Sequence, residues 1–95
     1  MAGDLEFDWD RANVEHIALH RVGLDEVEEI FENDECNIDY DVIGGEERWT
    51  ALGETNAGRV LIVVFTLRAE QIRVVTAFEA SHTVRVQYLK MKGQR

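Results

Sequence analysis

The chain has no proline, one cysteine, and only two basic residues, Arg11 and Arg21, in its first 47 positions. Without proline, glycine and Asn/Asp must mark the turns. A lone thiol, Cys36, closes no intramolecular disulfide and supplies no cysteine-based zinc site, which points to a reducing, cytoplasmic setting. Long apolar runs are also missing. The longest, Val60 to Phe65, falls far short of the roughly 20 residues that span a bilayer. Met1 to Glu6 lacks the basic-then-apolar opening of a signal peptide, so no membrane role is expected. What is present, 45% hydrophobic residues in a chain of 95, suits one globular domain over residues 1–95.

The formal charge of −9 disfavours phosphate at long range, but it is divided unevenly. Residues 1–47 carry 16 acids against 2 bases, net −14, whereas residues 48–95 carry 3 acids against 8 bases, net +5. No linker composition or repeat marks the crossover, so both halves belong to one fold. An acidic solvated face explains the first half most simply.

Leu5, Phe7 and Trp9 alternate with Glu6 and Asp8, which predicts a short strand over Leu5 to Trp9. Asp10 or Asn13 can cap a helix running to His20, with Val14, Ile17 and Ala18 on one face and Asn13, His16 and His20 on another. A second helix is expected from Asp25, with Asp25 and Glu28 at the spacing of a capping-box variant, a stripe of Leu24, Val27, Ile30 and Phe31, and a stop at Asn33. Cys36 to Val42 alternates as an amphipathic edge strand, with Cys36 read as a small buried residue. After Gly44 and Gly45 come strands at Arg48 to Leu52, Arg59 to Leu67 in mid-sheet, and Ile72 to Phe78. In the last, Arg73, Val75 and Ala77 should face away from Ile72, Val74 and Thr76. The short connections favour an antiparallel meander. Ser81 can cap a last helix to about Lys92, with Val84, Tyr88 and Met91 in one stripe. The fold class is α+β: an N-terminal strand and two helices, a four-stranded antiparallel meander, and a C-terminal helix.

His16 and His20 are four apart, a spacing at which imidazoles share a metal, yet no third ligand is evident and no metal or cofactor is expected. The acid pairs Glu28 and Glu29, or Glu46 and Glu47, diverge in direction and form no catalytic dyad. No glycine loop cradles phosphate. Arg48, Arg59, Arg73 and Arg85 stand on regular elements, where folding could offer guanidinium groups to phosphate in fixed geometry. His16, His20, His82 and Tyr88 are the candidate proton-transfer groups for metal-independent RNA cleavage. The plainer alternative is that these arginines pair with the abundant acids.

Phe7-Asp8-Trp9-Asp10, then Asn13-Val14-Glu15-His16-Ile17-Ala18-Leu19-His20 and Asp25-Glu26-Val27-Glu28-Glu29, resembles the N-terminal signature of BrnT-like toxins. Gly53-Glu54-Thr55-Asn56-Ala57-Gly58-Arg59 and Arg73-Val74-Val75-Thr76-Ala77 are similar to that family's hairpin and fourth-strand motifs. Arg85 and Tyr88 fall where its last helix carries basic residues and a tyrosine. The resemblance implies a RelE-like fold and the toxin component of a type II toxin-antitoxin system, an endoribonuclease. His20, Arg73, Arg85 and Tyr88 would then be catalytic, and Arg48, Arg59 and His82 would contact RNA. It also implies a ribbon-helix-helix antitoxin partner and DNA binding only through the antitoxin complex; a homo-oligomer is a further option that the resemblance does not decide. Three features depart from the family pattern: Phe78 replaces an expected arginine, Arg21 an expected glycine, and the expected charged run before the tyrosine is thinned to Val84-Arg85-Val86-Gln87. Those departures suit a toxin weakened by divergence. The alternative reading is a noncatalytic toxin-like interaction module that binds an antitoxin-like partner.

Overall fold

The computed structural model describes residues 6–93. In chain order the elements are α1 (Arg11–Ala18), α2 (Leu24–Glu32), β1 (Cys36–Ile43), β2 (Glu46–Glu54), β3 (Val60–Arg68), β4 (Gln71–Glu79) and α3 (His82–Gly93). The four strands form one antiparallel sheet in the order β1-β2-β3-β4, the expected meander with β3 inside and β1 at an edge. Among the described residues no helix is long and apolar enough to cross a membrane.

Alternation along the strands divides the sheet into two packed faces. Ala51, Val63 and Ala77 stand in one cross-strand row and join Ile17, Val27, Ile30 and Phe31 from α1 and α2 in the main core. The adjacent row, Leu52, Ile62 and Phe78, faces the other way, and there Leu52 and Val60 pack with Tyr88 and Val84 of α3. Helices therefore cover both faces. Six of the eight aromatic rings form a continuous chain, Trp9–Phe7–Phe31–Phe65–Trp49–Tyr40, with successive centroids 5.3–5.9 Å apart. That chain ties the N-terminal segment to the far edge of the sheet.

Several local expectations need correction. The N-terminal strand is reduced to one parallel bridge, Phe7 with Ile72, flanked by bonds from the Asp8 amide to the Ile72 carbonyl and from the Ile72 amide to the Glu6 carbonyl; Leu5 lies outside the described residues. Asp10, not Asn13, caps α1 by accepting the Asn13 amide at 2.8 Å. The helix stops at Ala18, before His20, and Ala18 is exposed. Its end is closed by Val22 N–H to the Ile17 carbonyl and Arg21 N–H to the Ala18 carbonyl, with Arg21 left-handed at φ 61°. This Schellman pattern explains why glycine is the easier residue there.

The start of α2 is also shifted. Gly23 is its N-cap, and Glu26, rather than Glu28, reaches back to accept the Gly23 amide at 3.0 Å. In β4 the pairing skips a residue between Val64–Thr76 and Phe65–Val74, so a bulge at Val75 returns Ala77 to the buried face of Ile72 and Val74. The expectation that Ala77 shares the face of Arg73 fails for that reason. Met91 is largely exposed and Cys36 only half-buried; both line an apolar groove of about 330 Å³ between β1, β2 and α3, together with Ile38, Leu52, Val84 and Tyr88.

Candidate functional site

The arginines fall into two groups at opposite ends of the sheet. Arg59 immediately precedes β3. Its guanidinium bonds both Glu26 oxygens at 2.7 Å, the Arg21 carbonyl at 3.1 Å and Glu79 at 3.4 Å. Arg85, in the first turns of α3, donates to the carbonyl of Gly58 at 2.9 Å. Arg59 thus touches the residue after His20, while Arg85 touches the residue before Arg59. The His20 ring is exposed and lies 5.6 Å from His16 and 6.2 Å from Phe78, whose neighbour Glu79 reaches Arg59. His82 is exposed on the opening turn of α3, three residues before Arg85 and one after the capping Ser81.

Arg73 and Arg48 form the second group. Thr66 pairs with Arg73 in β4, and the β2–β3 register, extended one step beyond Trp49–Phe65, sets Arg48 opposite Thr66. Arg73 bonds Asp10 at 2.8 Å and Asp8 at 3.4 Å, holding the N-terminal segment along β4. Arg48 meets Glu46 at 3.4 Å. Among the described residues neither arginine of this pair bonds directly to His20, Arg59, His82 or Arg85; Arg73 reaches that end only through Asp10, the cap of α1.

Tyr88 is in neither group. Only 1% exposed, it packs with Leu52 and Val60, and its hydroxyl is buried. Its ring lies beneath Lys92 Nζ, 5.6 Å from the centroid, beside a polar hollow of about 380 Å³ whose other walls are Asn33, Glu54, Thr55 and Asn56.

Electrostatics separate bound from available cations. Burial works to raise the Glu26 pKa, but the Gly23 amide and the Arg59 guanidinium outweigh it and hold the carboxyl below the usual range. Asp10 is likewise lowered, first by the Asn13 amide and then by Arg73. Arg59 and Arg73 are each pushed up, chiefly by hydrogen bonds to Glu26 and Asp10. Both are thereby committed to internal carboxylates. Among the described residues, Arg85, His20 and His82 have no carboxylate at ion-pair distance, and no group of three His, Cys, Asp or Glu side chains could hold a metal ion.

Sequence reasoning missed the acids that hold these arginines. Gly23 with Glu26 three residues on was a legible capping signal, although a glycine N-cap offers no side chain to notice. The alternation around Phe7 and Trp9, carried one residue further to Asp10, was a second signal, since it sets Asp8 and Asp10 on one side, where they can share a cation.

Comparison with known proteins agrees with this architecture. A crystal structure of the Brucella abortus ribonuclease toxin BrnT superposes with a TM-score of 0.62 over 82% of this chain and 99% of that one, at 22% identity, a likeness of fold. No functionally curated protein sequence matches. The family model for the ribonuclease toxin BrnT of type II toxin-antitoxin systems matches residues 9–83, from Trp9 through the first residues of α3. With the model spanning all four strands and both N-terminal helices, the chain belongs to the BrnT family of ribonuclease toxins of type II toxin-antitoxin systems.

Proposed function

We propose that this chain cleaves RNA without a metal at the end of the molecule where His20, Arg85, Arg59 and His82 gather. The observation that carries the reading is the chain of short links: Arg59 on the Arg21 carbonyl next to His20, and Arg85 on the Gly58 carbonyl next to Arg59. In this reading a base takes the proton of a ribose 2′-hydroxyl, whose oxygen attacks the adjacent phosphorus. The bond to the 5′ oxygen breaks, and that oxygen takes up a proton. His20 is the proton-transfer group, and Arg85 meets the charge that develops on phosphorus. His82 adds a contact to the RNA backbone. Arg59 and Arg73, already bound to carboxylates, act by positioning: Arg59 fixes α2 against β3, and Arg73 fixes the segment that caps α1. Arg48 lies too far along the sheet to join the patch and serves RNA only as an outlying contact. Tyr88 is reassigned from proton transfer to packing, because its hydroxyl is buried.

Membership of a type II system implies an antitoxin partner. We take that partner to be a ribbon-helix-helix protein, through which the complex would reach DNA in the cytoplasm; self-association of this chain is left to solution measurement.

Cleavage of a model RNA by the purified chain in the presence of a chelator tests the reading. His20→Ala and Arg85→Ala should each lower the rate about 100-fold or more, the scale of a lost proton-transfer or charge-stabilising group. Tyr88→Phe should retain most activity. Wild-type cleavage no greater than that of His20→Ala would favour the noncatalytic interaction module, a reading supported by the internal carboxylates on Arg59 and Arg73.

A further inference from the structure

The turn between β1 and β2 contains only Gly44 and Gly45, at φ 60° and 81°, and directly joins Ile43 to Glu46. In such a two-residue hairpin the flanking pair exchanges both backbone bonds, and bonded pairs recur at every second residue. Ile43 and Asp41 therefore turn their amides toward β2, while Val42 and Tyr40 turn theirs toward the open edge. Those outward amides are occupied from within: Tyr40 N–H donates to Asp39 Oδ1 at 2.9 Å, and Val42 N–H to Asp41 Oδ1 at 2.7 Å. Along the same edge Ile38, Tyr40, Val42 and Ile43 are each about half exposed, at 49–52%. An exposed, apolar edge strand is a template for another strand, and this one has neither proline nor lysine to discourage pairing.

We infer that β1 is a charge-gated docking edge for an extended peptide segment whose cationic side chains, two residues apart, draw the Asp39 and Asp41 carboxylates off the amides of Tyr40 and Val42. The spacing follows from strand geometry, since Asp39 and Asp41 project on one face roughly 7 Å apart and alternate residues of an added strand repeat at the same interval. Charge selects the occupant. Glu46 and Glu47 extend the acidic surface at the hairpin end; Arg48, opposite Asp41, is turned to Glu46, and the Tyr40 hydroxyl to Glu47 at 2.6 Å. A second copy of β1 would bring its own aspartates against these, so like-charge repulsion disfavours self-pairing. A neutral strand leaves the carboxylates in place and finds the donors taken. A basic strand gains ion pairs as it releases the amides. The inference is independent of RNA cleavage.

The test uses the full chain and three seven-residue synthetic peptides that alternate valine with lysine, glutamate or threonine, with titration at low salt and amide hydrogen exchange at Tyr40 and Val42. The lysine peptide should slow exchange at both amides at least tenfold and lose this effect at high salt. The glutamate and threonine peptides should do neither. Asp39→Ala/Asp41→Ala should accept the threonine peptide that the wild type refuses. Val42→Pro, which removes one outward N–H without touching the ladder to β2, should weaken the lysine peptide's binding. The inference is overturned if the lysine peptide leaves both amides unprotected, if the double variant keeps the wild-type preference, or if Val42→Pro binds as well as the wild type. Concentration-dependent protection of the same amides without peptide would make a second copy the occupant, with the same consequence.

Discussion

Glu26 Oε1 accepts two hydrogen bonds at once, from the Gly23 amide at 3.0 Å and from Arg59 Nη1 at 2.7 Å, joining the start of α2 to a residue 33 positions later. Glu26→Gln keeps the shape but removes the charge, and should cost about 1–2 kcal/mol of stability near neutral pH. The Glu26 pKa is depressed in the fold, so its contribution is complete above the ordinary carboxylate pKa and is lost as pH falls through the lowered value. Urea unfolding as a function of pH should show wild type and variant converging below about pH 4. A gap that persists in acid would mean that the loss in the variant does not come from the carboxylate charge.

Gly53 sets the distance between α2 and the sheet. A Cβ there would stand 2.8 Å from the Ile30 Cβ, which is part of a fully buried side chain and cannot swing aside. Gly53→Ala should destabilise the protein by about 1–3 kcal/mol, the usual cost of overpacking. Thermal unfolding of the variant should show this directly; an unchanged Tm would mean that α2 can move off the sheet at no cost.

The β3–β4 turn is strained where the β1–β2 turn is not. Ala69 and Glu70 adopt φ 52° and 66°, the left-handed pair that asparagine and glycine accept readily. Replacing them together, Ala69→Asn with Glu70→Gly, should stabilise the domain by about 1 kcal/mol and raise Tm by roughly 4–8 °C. An unchanged Tm would show that the strain is relieved in solution.

Phe78 stands beside His20, ring centroids 6.2 Å apart, and is 37% exposed. Phe78→Arg therefore adds a cation to the proposed RNA surface without emptying the core. RNA affinity should rise at low salt, and the logarithmic dependence of affinity on salt should steepen by about 0.7, one phosphate contact on a single strand. An unchanged slope would place the RNA path elsewhere.

The strands were readable because each turn is short, because β1 alternates apolar and polar side chains, and because β3 stands out as the uninterrupted apolar run from Val60 to Phe65. The errors lie where a local irregularity breaks that regularity. One extra residue at Val75 moves Ala77 across the sheet, and strict period-two counting has no means of detecting a bulge. Gly23 caps α2 without a side chain, so the sequence drew attention to Asp25 instead. The site was less legible than the fold. The types of cation could be listed, but Arg59 is committed by Glu26 and Arg73 by Asp10, acids that are distant in sequence and become neighbours only after α1 and α2 dock.

The single bridge between Phe7 and Ile72 also orders the assembly of the molecule in time. Each strand pair is joined by a short turn, so the meander can form from near-neighbour contacts that close small loops. The N-terminal segment cannot. Its bonds to Ile72 and Arg73 close loops of more than 60 residues. During synthesis this segment emerges well before its seat on β4 exists, so it waits unseated while β1, β2 and β3 are made and settles only after β4 has joined the sheet.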